Sequence, residues 1–416
     1  MQTTLAPEYQ NTPDGLAAEA ILCKCVHCGF CTATCPTYQL LGDELDGPRG
    51  RIYLMKQVLE GAEPTRKTQL HLDRCLTCRN CETTCPSGVD YGHLVDIGRK
   101  LVDAKVERPA TEKALRWALK EGLPSPLFAP AMKLGQLVRP LLPAALKAKV
   151  PARQDSGVWP TRSHARKVLM LAGCVQPSMA PNINTATARV LDAVGIQTLV
   201  ATKAGCCGAV KFHLNDQDGA KAEMRANIDA WWPSVEAGAE AIVMNASGCG
   251  STVKDYGHVL QDDVAYADKA RRISALTRDL SEMLAVIVEA LQKDHPHLHS
   301  RIVAQAPKLA FHPPCTLQHG QKLKGGVEQH LGALGFDISV ADEAHLCCGS
   351  AGTYSVLQPE LSYQLRDRKL GHLNVVKADV IVSANIGCIT HLQSGTATPV
   401  KHWVEVLDAA LVASNH

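Results

Sequence analysis

The chain has 416 residues, with 43 Lys and Arg against 41 Asp and Glu, so its formal net charge is only +2. That balance argues against a nucleic-acid binder, which carries a basic excess, and the length calls for two or three domains. Apolar residues make up 46% and aromatics only 4%, so the cores are aliphatic. The outlier is cysteine, at 17 residues. No basic segment followed by an apolar one opens the chain, so no secretory signal is read. No apolar run reaches the roughly 18 residues of a spanning helix. The expected setting is intracellular and reducing, where many cysteines imply metal or redox chemistry rather than disulfides.

Residues 25–36 read CVHCGFCTATCP and residues 75–86 read CLTCRNCETTCP. Both are C-x2-C-x2-C-x3-C-P, the two-cluster ferredoxin run in which the fourth cysteine ligates the other cluster. Cys25, Cys28, Cys31 and Cys85 are expected to hold one [4Fe–4S] cluster. Cys75, Cys78, Cys81 and Cys35 are expected to hold the other, with iron as the metal. Two-residue gaps wrap three thiolates round one corner of a cube, and the proline sets the direction of exit. The small residues Gly29, Thr32, Ala33, Thr83 and Thr84 are expected to let backbone N–H groups approach the sulfides. Structural zinc also uses paired C-x2-C units, but seldom needs three such cysteines plus C-P twice over. Cys23 reads as a packed free thiol. Between the motifs, RGRIYLMKQVLEG at 49–61 has Ile52, Met55 and Leu59 at helical spacing, so the motifs lie in loops between helices.

From Gly122 to Gln154 there is no acidic residue. Lys133, Arg139, Lys147, Lys149 and Arg153 alternate with apolar groups, and Pro124, Pro126, Pro130, Pro140 and Pro143 break the stretch into short pieces. It reads as a connector of short helices, or as an interfacial patch suited to anionic lipid.

The second half repeats itself. Cys174 follows KVLMLAG, Cys206-Cys207-Gly208 comes next, and Cys249 follows AIVMNASG. In the second copy Cys315 follows KLAFHPP, then come Cys347-Cys348-Gly349, and Cys388 follows DVIVSANIG. The offsets are 141, 141 and 139 residues, with LDAVGI at 191–196 matching LGALGF at 331–336, which marks an internal duplication. Short β-branched strands alternate with helical stretches such as 222–239, which predicts α/β layers with parallel strands. The cysteines fall at strand C-terminal ends, where sites in open α/β sheets gather. Each unit thus offers four thiolates for one further Fe–S cluster, one or two in all, or for a redox dithiol without metal. His312, His345 and His391 lie beside these cysteines as hydrogen-bond donors, and His391 has ligand spacing from Cys388. There is no G-x-G-x-x-G after a strand, no Walker A and no H-E-x-x-H, so no flavin or nicotinamide site of that type is expected. Oxidation at a substrate carbon would then take place on a partner's cofactor.

These motifs resemble the iron–sulfur subunit family of glycolate oxidase (glycolate dehydrogenase), over nearly the whole chain. The resemblance is carried by residues 25–54, 71–89, NIDAWWP at 227–233, PCTLQH at 314–319, HLCCGSAGTY at 345–354 and ANIGC at 384–388. It implies an electron-transfer subunit, not catalytic alone. It would relay electrons from FAD on partner subunits that oxidise glycolate, and D-lactate secondarily, to a quinone or other membrane electron acceptor. It implies a cytoplasmic protein, peripheral at the inner face of the plasma membrane. Relatives with the full repeat end it in C-x-x-C; here the endings are Cys249-Gly250-Ser251-Thr252 and Cys388-Ile389-Thr390-His391, which argues against an enlarged non-cubane cluster. A thiol or disulfide reductase at the Cys-Cys-Gly repeats is the alternative, and a zinc-structured interaction module a third reading. The expected organisation is an α-helical two-cluster ferredoxin domain (1–120), a connector (121–164) and two Cys-Cys-Gly α/β repeats (165–300 and 301–416).

Overall fold

The computed structural model describes residues 1–143, 147 and 149–412. Its first third is helical: α1 (Pro13–Lys24), α2 (Phe30–Ala33), α3 (Pro36–Leu41), α4 (Pro48–Leu59), α5 (Arg66–Asp73), α6 (Asn80–Thr84), α7 (Tyr91–Lys105), α8 (Ala110–Gly122) and α9 (Phe128–Leu137). Local chemistry sets several starts. Thr12 caps α1 by accepting from the Gly15 N–H, and Thr65 and Thr68 form a reciprocal capping box on α5, which satisfies donors that have no intrahelical partner. Pro36 and Pro48 open α3 and α4, where a missing N–H costs nothing. Ile52, Met55 and Leu59 of α4 pack against Leu22, Leu72, Leu94 and Val95, and Cys25, Cys75 and Cys81 belong to the same core. Each such aliphatic side chain contributes about 1.5–3 kcal/mol on burial.

The second half contains two four-stranded parallel sheets of one topology. Strands β1 (Arg166–Met170), β2 (Ile196–Leu199), β3 (Ile242–Met244) and β4 (Thr277–Asp279) lie in the order β2-β1-β3-β4. Strands β5 (Leu309–His312), β6 (Ile338–Val340), β7 (Val380–Ser383) and β8 (Val400–His402) lie in the order β6-β5-β7-β8. Leu169 pairs with Ile242 in the first sheet and Leu309 with Val380 in the second. Of the central strands, β3, β5 and β7 are wholly buried and β1 is buried from Val168 onward, which is why they read as continuous apolar runs rather than alternating ones.

The two units exchange helices. The helix after β8, Trp403–Val412, packs on Pro181–Ala193 of the first unit, and Leu284–Asp294, which follows β4, packs on Gly326–Ala333 of the second. Arg189 pairs with Asp408 at 2.6 Å, and Asn182 donates to Glu405 at 2.9 Å. One apolar core therefore runs through both units, from Val168 and Ile183 to Trp403 and Leu407.

Candidate iron–sulfur centres

Three hollows gather sixteen of the cysteines. The first is lined by Cys25, Cys28, Cys31 and Cys85, with Cys81 at its back. The second is lined by Cys35, Cys75, Cys78 and Cys81. The backbone shapes both loops alike. His27 and Gly29 in the first motif, and Thr77 and Arg79 in the second, all have positive φ: 56°, 86°, 52° and 57°. These left-handed residues curl each loop around its hollow, and the Thr77 N–H meets Cys75 Sγ at 3.4 Å. The third cysteines, Cys31 and Cys81, lie in the one-turn helices α2 and α6 rather than in open loop. The hydroxyls of Thr83 and Thr84 bond to His319 and Thr34.

The third hollow is a cavity of 590 Å³ between the two Cys-Cys-Gly units. Cys174, Cys206, Cys207 and Cys249 line one side, and Cys315, Cys347, Cys348 and Cys388 the other. Leu119 of α8, Leu123, and Phe128 and Met132 of α9 close it from outside. In the first set the thiols neighbour one another in the order Cys174, Cys206, Cys207, Cys249; the second runs Cys315, Cys347, Cys348, Cys388 in the same way. Gly208 and Gly349 explain the Cys-Cys-Gly signature. Both have positive φ, and a Cβ on Gly349 would lie 2.4 Å from the Ser362 carbonyl oxygen. The Gly349 N–H instead meets Cys347 Sγ at 3.4 Å.

These residues suit a cluster better than a single ion. Zinc held at about 2.3 Å by each sulfur needs the sulfurs nearly in contact. Among the described residues the one group of three ligand atoms mutually within 4.8 Å is Asp43, Asp46 and His71, and no three cysteine sulfurs close that tightly. Asp46 is itself taken by Arg51, Arg74 and His71, so that group is an ion-pair network. None of the cysteines forms a disulfide. Burial pushes the thiols of Cys78 and Cys81 well up, so a bound metal must supply the charge that deprotonates them. The buried His312 Nε2 has no partner, while Nδ1 bonds to Ser383 Oγ at 3.0 Å. His312 lines the cavity, and its ring is kept neutral by burial, with its pKa down to about 3. His391 also reaches the cavity wall, but its Nε2 is engaged by Ser362. His345 offers its carbonyl to Asn80 and His319. Cys23 stays outside all three hollows and exposed.

The second hollow abuts the cavity. Leu76 and Cys78 pack with Cys315, Cys347 and Tyr354. Asn80 donates to both Thr34 O and His345 O at 3.0 Å, tying the two ferredoxin motifs to the second unit. The first hollow faces outward instead: Cys28 is exposed, flanked by Val26 and Phe30 at 68% and 61% exposure.

Residues 24–89 match the 4Fe-4S dicluster domain family, and residues 168–254 and 309–393 each match the cysteine-rich domain family. The glycolate oxidase iron-sulfur subunit of Escherichia coli (strain K12) is 56% identical over 413 residues, 99% of both chains. The probable glycolate oxidase iron-sulfur subunit of Bacillus subtilis (strain 168) is 30% identical over 93% of this chain and 92% of its own. Lactate utilization protein A of Geobacillus thermodenitrificans is 27% identical over 58% of this chain and 98% of its own. A ferredoxin-type helical domain joined to two Cys-Cys-Gly units, similar from end to end to these subunits, places the chain in the family of glycolate oxidase iron–sulfur subunits.

Proposed function

We propose that the chain is the electron-transfer subunit of a flavin-dependent glycolate dehydrogenase complex that also accepts D-lactate. FAD on partner subunits oxidises the 2-hydroxy acid, and this chain relays the electrons to a membrane quinone. Cys25, Cys28, Cys31 and Cys85 hold one [4Fe–4S] cluster; Cys75, Cys78, Cys81 and Cys35 hold the second. The four cysteines of each Cys-Cys-Gly unit hold one further cluster. When bound, these clusters supply one-electron conduction.

The observation that carries this reading is the row of hollows. It starts at the exposed Cys28, passes the buried Cys35–Cys75–Cys78–Cys81 set, and ends in the eight-cysteine cavity. The apolar rim of Val26 and Phe30 suits the flavoprotein's docking, and the interior end suits onward transfer. The names of the Escherichia coli and Bacillus subtilis relatives support glycolate as the substrate of the complex. We place the protein in the cytoplasm, peripheral at the inner face of the plasma membrane. No described helix is long and apolar enough to cross a membrane. The outer surface of α9 and the turns on either side of it expose Leu127, Leu134, Leu137 and Leu141 beside Lys133, a mixture suited to anionic lipid.

The complex carrying Cys28→Ala or Cys78→Ala should lose glycolate-dependent dye and quinone reduction, and full retention would remove the proposed role. Iron and sulfide analysis of the anaerobically purified chain should give about sixteen irons, four per cluster. About eight would leave the Cys-Cys-Gly units without clusters.

A further inference from the structure

The two Cys-Cys-Gly units share a backbone plan but differ in charge. Lys369, on the helix Pro359–Val375, is only 3% exposed. Its ammonium donates to the Glu343 backbone carbonyl at 2.5 Å. The Glu343 carboxylate is occupied by Arg368 and His372, and among the described residues no carboxylate lies within ion-pair reach of Lys369. Burial lowers its pKa, and the charges that oppose this shift are chiefly those of the Cys315, Cys348 and Cys347 sulfurs. A buried, unpaired charge costs several kcal/mol, so this lysine keeps its ammonium form only beside an anion. A cluster ligated by four thiolates is an anion, and it gains a further negative charge on reduction.

The first unit has no such cation at the matching place. A Cβ on Gly208 would approach the Ala220 carbonyl oxygen, and one on Gly349 that of Ser362. That offset of 142 residues sets Asn227 opposite Lys369. Asn227 is buried and neutral, donating to Cys206 O at 2.6 Å and Tyr256 Oη at 3.1 Å and accepting from the Gly205 N–H at 2.8 Å. Glu223, the carboxylate that interacts with Cys206, is matched by Lys211 at 3.3 Å. The second unit is also the one that packs against Cys78.

We infer that Lys369 raises the reduction potential of the second unit's centre above that of the first, so that an electron leaving the Cys35–Cys75–Cys78–Cys81 centre comes to rest there. This rests on the reading that each unit holds a cluster. Lys369 is a positioning residue: it acts on the electron through charge and touches no substrate.

The test is an EPR-monitored redox titration of the whole purified chain. The second unit's signal is the one lost, with its share of iron, in Cys348→Ser. In Lys369→Met, with iron and sulfide unchanged, the midpoint of that signal should fall. The expected effect is about a tenfold loss in the equilibrium constant for one-electron reduction, or about 59 mV. Lys369→Gln should shift it in the same direction, and Lys324→Met, an exposed and screened cation, should not. An unmoved midpoint in both Lys369 variants at full iron content overturns the inference. So does loss of the second unit's iron in both, which would make Lys369 a structural counter-charge only. If Cys348→Ser removes neither iron nor signal, the cluster reading itself has failed, a result distinct from either.

Discussion

His27 and Thr77 sit at the same place in their motifs, each in a left-handed backbone conformation that costs a residue with a Cβ about 1–2 kcal/mol. Strain of that kind persists where the surroundings fix it, commonly at functional sites. Only Gly29 hinted at this in the sequence, because glycine is the usual resident of that region; Thr77 and Arg79 gave no sign. The glycine of Cys-Cys-Gly is stricter, since left-handed φ and the nearby Ser362 carbonyl oxygen act together. Gly349→Ala should therefore destabilise the second unit by at least about 1–2 kcal/mol, read as a lower melting temperature and reduced iron content. That sixteen cysteines gather into three hollows was legible in their spacing. Lys369 was not, because Arg366-Asp367-Arg368-Lys369 reads as a solvated run, and only tertiary packing turns its last member inward.

The strands of the Cys-Cys-Gly units were legible as apolar runs, and both sheets are parallel as the α/β alternation predicts. The helix expected over 222–239 instead spans Gln217–Glu236. Its start is fixed by Asp216, which accepts from the Gly219 N–H, a cap that apolar periodicity does not weigh. Gly371 lies exposed inside Pro359–Val375 with nothing within 4 Å of an added Cβ. Gly371→Ala should raise stability by about 0.5–1 kcal/mol through lost unfolded-state entropy, a gain visible in thermal melts. The connector was legible as short helices, but its two faces were not separable without packing. Phe128 and Met132 line the cavity, whereas Leu134 and Leu137 face solvent. Leu134→Glu with Leu137→Glu should reduce flotation with anionic liposomes while leaving iron content intact. Equal flotation would place any membrane contact elsewhere.

Across the whole molecule, the ferredoxin domain is held to the first unit by a small charged joint. Asp255 accepts from Arg79 at 3.0 Å and lies 3.4 Å from His93, which stacks on His258 with centroids 4.0 Å apart. Burial opposes the charge on His93, but the hydrogen bond and charge of Asp255 prevail and raise its pKa above 6.5. Burial likewise opposes the Asp255 carboxylate, yet His93 and Arg79 bring it down to about 2 from 3.8. The His93 contribution to stability is fully present below pH 6.5 and is lost as pH rises through the raised value. That of Asp255 is present above pH 3.8 and is lost only as pH falls through about 2. Asp255→Asn should thus cost more stability at pH 6 than at pH 8.5, measured by thermal melts at matched ionic strength. No spacing rule could expose this joint, since its partners lie more than 160 residues apart. The helix exchange between the Cys-Cys-Gly units was equally hidden, because a duplication says nothing about which copy's helix covers which sheet. That reciprocal exchange is the geometry of a two-fold dimer, which points to a homodimeric ancestor whose two copies became one chain. Two identical subunits must carry identical centres, and an electron between them has no preferred side. Within one chain the copies are free to differ, and here one carries the neutral Asn227 where the other carries Lys369, an asymmetry that two identical subunits cannot hold.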